Sequence, residues 1–109
     1  YNGCTTTCEA MWMGVPVVSF PRQTSTARFG LSLATNAGIP EVVAEDRDGY
    51  VEAAVALAND LSRLEALRAS LRSKMAASPL CDAQQFARDL EVAYREAWRN
   101  WCAEEHDHG

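Results

Sequence analysis

Apolar residues recur along the chain in two different rhythms, and the change from one to the other divides it near residue 45. In the first part, Ala10, Met11, Trp12 and Met13 follow a run of hydroxyl residues and are closed by Gly14. That order predicts a short helix over Thr7 to Met13, with the glycine as its left-handed cap. Val15, Val17, Val18 and Phe20 then form the apolar run of a buried parallel strand, with Pro16 near its start, where a missing N–H matters least. Trp12 and Met13 are assigned to the core between helix and sheet, because aromatics carry large apolar area. Pro21 to Ser25 reads as a polar loop at the C-terminal end of that strand, the edge at which open α/β sheets bind ligands. Ser25 or Thr26 is expected to cap a helix from Ala27 to Asn36, which Gly38 ends, and Ile39 to Ala44 reads as a brief last strand.

From Asp46 onward the rhythm is helical. Tyr50, Val51, Ala54, Val55 and Ala58 recur at spacings of three and four behind a cap at Asp46 or Asp48. Asn59 or Asp60 opens the next helix, whose stripe of Leu61, Leu64, Leu67, Leu71 and Met75 is assigned to the core. Ser78-Pro79 breaks the pattern, since the residue before a proline is pushed out of the α region. Asp82 then caps a long helix carrying Phe86, Leu90, Tyr94, Ala97, Trp98 and Trp101. The polar stretch Ala103 to Gly109, with His106 and His108, is expected to fray. The chain thus divides into an α/β part over about 1–45, helices over 46–102 and a tail over 103–109.

Composition narrows the classes. The 109 residues suffice for one core but are few for a complete α/β enzyme, and with Tyr as the first residue the chain reads as part of something longer. The formal net charge is −5, and the arginines are scattered among carboxylates, which argues against a nucleic-acid groove. No run approaches the roughly 20 apolar residues that span a bilayer, and no signal peptide is visible. Cys4 and Cys8 are spaced to share a helical face, but a metal site needs more ligands than the local sequence supplies. Free thiols, with Cys81 and Cys102, are the simplest account and fit a reducing cytoplasm. Nothing in the pattern calls for a cofactor.

The stretch Gly3 to Glu9 holds the candidate chemistry. The first N–H groups of a helix lack intrahelical partners and sit at the positive end of the helix dipole, so a phosphate placed there meets several donors. Gly3 permits close approach of the backbone, and Thr5, Thr6 or Thr7 can act as N-cap or turn a hydroxyl towards a ligand. Glu9, a turn further on, can accept hydrogen bonds from a ribose diol. An ordinary helix start with a spare cap explains the same residues, so spacing alone leaves both readings open.

Further stretches bear on that choice. Asn-Gly-Cys-Thr-Thr-Thr-Cys-Glu-Ala-Met-Trp-Met-Gly-Val-Pro-Val-Val, Ala-Arg-Phe-Gly-Leu-Ser-Leu, Met-Ala-Ala-Ser-Pro-Leu-Cys-Asp and Phe-Ala-Arg-Asp-Leu-Glu-Val-Ala-Tyr-Arg-Glu-Ala-Trp occur in that order. From about Tyr1 to Trp98 the chain resembles the C-terminal end of the O-linked N-acetylglucosamine transferase family, in particular its bacterial members with tetratricopeptide repeats. The resemblance implies an α/β fold, namely the end of the C-terminal Rossmann-like lobe of a two-lobe GT-B glycosyltransferase. In that family a His-Thr-Thr at a helix start contacts the diphosphate, and an acidic residue three positions after the second Thr contacts the ribose. Thr5 and Thr6 match the two threonines and Glu9 the acidic position. Cys4 stands where some members carry His, and Glu9 is one methylene longer than the Asp of others. Gly3, Cys4, Thr5, Thr6 and Glu9 are accordingly the candidate substrate-binding set, with no catalytic residue and no metal ligand among them.

The activity so implied is transfer of N-acetylglucosamine from UDP-GlcNAc to a protein Ser or Thr hydroxyl, with inversion. The family's proton acceptors lie in the other lobe, and its phosphate-binding lysine and uracil contacts lie upstream, so this segment is expected to be inactive alone. The final helix of the family crosses back to the N-terminal lobe, which predicts exposed aromatics here and a possible homodimer through them. Two other readings fit the residues: a helical protein-interaction module, and a two-lobe transferase using another nucleotide sugar. Arg22 and Arg28 are cations near the expected rim, and Arg28 serves equally as a structural partner of a helix end or carboxylate.

Overall fold

The computed structural model describes residues 2–106. Its described residues form five α-helices: α1 (Thr5–Trp12), α2 (Phe29–Ala37), α3 (Arg47–Asn59), α4 (Leu61–Ala76) and α5 (Ala83–His106). Short 3-10 turns stand at Ser25–Ala27, Pro40–Val42 and Pro79–Cys81. The expectations for Tyr1 and for the end of the tail, His108 included, lie outside the described residues.

Local chemistry sets most of the boundaries. Gly14 (φ 84°) and Gly38 (φ 75°) take the left-handed conformation and end α1 and α2. Behind Gly14, Val15 N–H reaches the Ala10 carbonyl at 2.9 Å and Gly14 N–H the Met11 carbonyl at 2.9 Å, so the last carbonyls of α1 are paired by a Schellman turn. Of the alternative caps, Asp46 and Asp60 are the ones used: their carboxylates accept from Gly49 N–H at 2.7 Å and Arg63 N–H at 3.0 Å. Asp82 caps α5 through Gln85 N–H at 3.0 Å.

The core lies where α1, α2 and α4 meet. Met11, Leu33, Ala34, Ala37, Ile39, Val42, Leu67, Leu71 and Met75 form one buried cluster. Burying a side chain such as Leu67 or Leu71 fully contributes about 1.5–3 kcal/mol. Leu67, Leu71 and Met75 recur at i, i+4, i+8 and hold the inner face of α4. The upper end of the expected stripe does not reach this core: Leu64 is half-buried and Leu61, at the first position of α4, is 75% exposed.

The two expected strands do not form as such. Among the described residues their sheet character is one parallel bridge, Ser19 to Val43, in which Ser19 N–H donates to the Val42 carbonyl at 2.9 Å and Ala44 N–H to the Ser19 carbonyl at 2.8 Å. Pro40 starts a 3-10 turn in place of extended chain, because its ring fixes φ near the value such a turn needs. Trp12 and Met13 are likewise not core residues, at 41% and 63% exposure. Arg72 holds them from outside: its guanidinium lies 5.3 Å from the Trp12 ring centroid and its Nε donates to the Trp12 carbonyl at 2.8 Å.

The expected Thr26 or Ser25 cap is absent from α2, which starts at Phe29 after a separate turn and has no capping side chain from its own flank. The stretch 103–106, expected to fray, continues α5. Residues 83–101 of that helix are all exposed, including Phe86, Tyr94, Trp98 and Trp101, in line with the exposed aromatics that the family resemblance implied. Among the described residues no helix is long and apolar enough to cross a membrane.

Gly14, just past the end of α1, packs directly on the α4 backbone, since a Cβ there would stand 2.7 Å from the Arg68 carbonyl oxygen. Gly14→Ala therefore combines a left-handed penalty with a backbone clash and is expected to cost about 2 kcal/mol or more. Thermal unfolding measures it; an unchanged midpoint would show that the close approach does not matter.

Candidate functional site

The α1 start is assembled from a loop whose position is fixed at Asn2. Asn2 N–H donates to the Thr26 carbonyl at 2.8 Å, and the Asn2 side-chain oxygen accepts from Gly30 N–H at 3.0 Å. Gly3 follows, with the Thr6 and Thr7 hydroxyls folded back beside it: a Cβ on Gly3 would lie 2.9 and 2.8 Å from their oxygens. Cys4 then occupies the N-cap position without a side-chain hydrogen bond to the helix. None of the three threonines is thus the cap that their hydroxyls suggested. They form the first turn itself, because the helix opens two residues earlier than the apolar rhythm implied.

The bond from Cys8 N–H to the Cys4 carbonyl, at 3.0 Å, closes that first turn. The N–H groups of Thr5, Thr6 and Thr7 precede it and point out of the helix end, where the dipole is positive. Cys4, Thr5, Thr6 and Glu9 are exposed, whereas Thr7 is buried.

A cleft of about 420 Å³ opens beside this helix start, with Gly3 and Thr7 on one wall, Val17 to Phe20 on its floor and Gly30 opposite. Arg22 and Tyr50 also line it. Tyr50 meets Phe20 edge to face, ring centroids 5.4 Å apart. Of the five candidate residues, the cleft takes in Gly3 alone. Glu9 lines a different, more apolar groove with Cys8, Trp12, Met75, Leu80 and Cys81. Arg28 donates through Nη1 to the Arg22 carbonyl at 3.1 Å, a structural contact whose partner is a loop carbonyl and not the carboxylate or helix end expected.

Several cleft residues escaped the sequence reading. Asn2 carried only the weak signal of an Asn-Gly ahead of a hydroxyl run. Ser19 is a lone hydroxyl within an apolar stretch; it is buried, and its oxygen has no hydrogen-bond partner. Leaving such a group unpaired costs about 1–3 kcal/mol. Gly30 permits the packing above it, since a Cβ there would stand 2.3 Å from the Ser19 oxygen.

All four cysteines are free. Burial pushes the Cys8 thiol above its ordinary value, and Cys4, Cys81 and Glu9 nearby add to the effect by disfavouring the thiolate.

The family model of glycosyl transferase family 41 matches residues 1–90. A probable UDP-N-acetylglucosamine–peptide N-acetylglucosaminyltransferase SPINDLY of Petunia hybrida is 47% identical over 102 residues, which are 94% of this chain and 11% of that protein. The UDP-N-acetylglucosamine–peptide N-acetylglucosaminyltransferase of Caenorhabditis elegans is 33% identical over 100 residues, 92% of this chain and 9% of that protein. A solved structure of a mutant O-GlcNAc transferase from Thermobaculum terrenum superposes with a TM-score of 0.81 at 39% identity, covering 94% of this chain and 20% of that one. The chain therefore spans about a tenth of the length of these two curated relatives.

The raised Cys8 pKa has a measurable sign. Only the thiolate is alkylated, so in the folded protein the rate of Cys8 modification by iodoacetamide should rise at higher pH than in the same chain unfolded in urea. Peptide mass spectrometry across a pH series reads this, and coincident profiles would contradict it.

Proposed function

Because the chain belongs to glycosyl transferase family 41, we propose that it contributes part of the donor site of an enzyme transferring N-acetylglucosamine from UDP-GlcNAc to protein Ser or Thr hydroxyls. The observation that carries this reading is the α1 start: an eight-residue helix that opens at Thr5 with no side chain spent on capping it. In the reaction the acceptor oxygen attacks the anomeric carbon as its bond to the diphosphate oxygen breaks. The acceptor proton passes to a base outside this chain, and the sugar inverts. Negative charge grows on the departing diphosphate, and fixed donors lower the barrier by meeting it; losing one such donor typically costs about 3 kcal/mol. Thr5 and Thr6, with their N–H groups, supply those donors, Gly3 and Cys4 shape the approach, and Glu9 accepts from the ribose.

The same reading accounts for the reduced sheet. Ser19 and Val43 are paired in parallel, as adjacent strands of a Rossmann-like lobe are. We assign the chain to the end of the C-terminal lobe of a two-lobe GT-B enzyme, as one fragment with its α/β part over 1–45. The exposed face of α5 then serves for contact with the rest of the protein or, in the isolated chain, with a second copy. That exposed face also favours a second reading, a helical interaction module whose binding is indifferent to the α1 threonines.

Titration of uridine diphosphate into the full-length protein separates the two. Thr5→Ala with Thr6→Ala should weaken binding at least about tenfold, since charge-assisted hydrogen bonds are worth about 1.5–3 kcal/mol each; unchanged binding favours the interaction module. The isolated chain should show no transferase activity, and measurable turnover by it would refute its role as a partial site.

A further inference from the structure

Two helix starts converge on the cleft, and a single residue joins them. Asn2 lies just before α1, and its side-chain oxygen accepts from Gly30 N–H in the first turn of α2. That N–H belongs to the group that a helix leaves without internal partners. No residue flanking α2 caps it with a side chain, so Asn2 supplies the cap from 28 residues away. Asn2 is also held through its own N–H to the Thr26 carbonyl, in the turn that leads into α2.

The corner that receives Asn2 is closed internally. Arg22 N–H donates to the Ala27 carbonyl at 3.2 Å, and Arg28 spans it through the Arg22 carbonyl. Gly30 allows α2 to settle onto Ser19; a Cβ there would also come within 3.2 Å of the Asn2 oxygen. The result is a cleft with Gly3 and Thr7 of the α1 start on one side, Gly30 of the α2 start on the other, and the Arg22 cation beside them. The α1 start borders it with its positive dipole end, whereas at the α2 start the Gly30 N–H is already taken by Asn2.

We propose that Asn2 is a positioning residue for the diphosphate end of the donor: bonded to Thr26 and to the start of α2, it anchors the loop that leads into α1 and so fixes where the α1 N–H groups meet the anion. This rests on the transferase reading above. Asn2 touches no reacting atom in this scheme and acts through the placement of Gly3, Thr5 and Thr6.

The test uses the full-length protein, with uridine diphosphate and uridine titrated separately and thermal unfolding recorded for each variant. Asn2→Ala should lower diphosphate affinity about tenfold, a misplacement effect, and change uridine binding much less, because the resemblance puts the uracil contacts upstream of this chain and only Glu9 here reaches the ribose. Asn2→Asp keeps an acceptor for Gly30 N–H and so keeps the fold, but it sets a negative charge at the anion's face; a comparable loss for the diphosphate alone is expected. A purely structural role predicts that the Asp variant matches wild type for both ligands and that the Ala variant loses both together. An unchanged ratio of the two affinities in both variants would overturn the proposal. If Thr5→Ala/Thr6→Ala weakens the diphosphate while the Asn2 variants keep the ratio, this inference falls alone. If that double variant also binds normally, the transferase reading falls and takes this inference with it.

Discussion

The close packing of α1 on α4 is the constraint on which the site depends. Met11 is buried among Leu67, Leu71 and Met75, and Gly14 brings the end of α1 against the Arg68 backbone, where no side chain has room. A helix of eight residues is too short to be stable by itself. Its direction is held at the opposite end by the glycine turn and by Arg72, which binds the Trp12 carbonyl, while Asn2 anchors the loop that leads into its start. The apolar contact that stabilises α1 and the polar end that can meet a ligand are thus two ends of one short rod.

How much of this the sequence disclosed follows the range of the interactions involved. Asp46, Asp60, Asp82, Gly14 and Gly38 act within a few residues of themselves, and each was legible as a cap or terminator. The strands were not, because an apolar run becomes a strand only where neighbours pair with it, and the described residues offer Val15 to Phe20 a single bridge. Trp12 misled for a related reason: apolar size says that a side chain gains from burial, but Arg72, 60 residues away, decides which face of it is covered. At the site, the threonines announced a helix start, whereas the bond from Gly30 to Asn2 spans 28 positions and leaves no local trace.

A diphosphate site of the kind proposed for α1 is unexpected in an acidic chain, whose net charge of −5 would suggest repulsion. Net charge, however, acts through screened distances, and at physiological ionic strength charges more than about 8 Å apart in solvent are largely screened from one another. What the anion meets is the local field. The cleft beside the α1 start is lined by Arg22, and none of the residues lining it is acidic. Glu9 lines the separate groove on α1, one turn from Thr5 and Thr6, and so stays outside the cleft. Backbone dipoles fixed by the fold act without side-chain ordering, so the net charge of the chain does not by itself exclude an anion from the start of a short helix held at its far end.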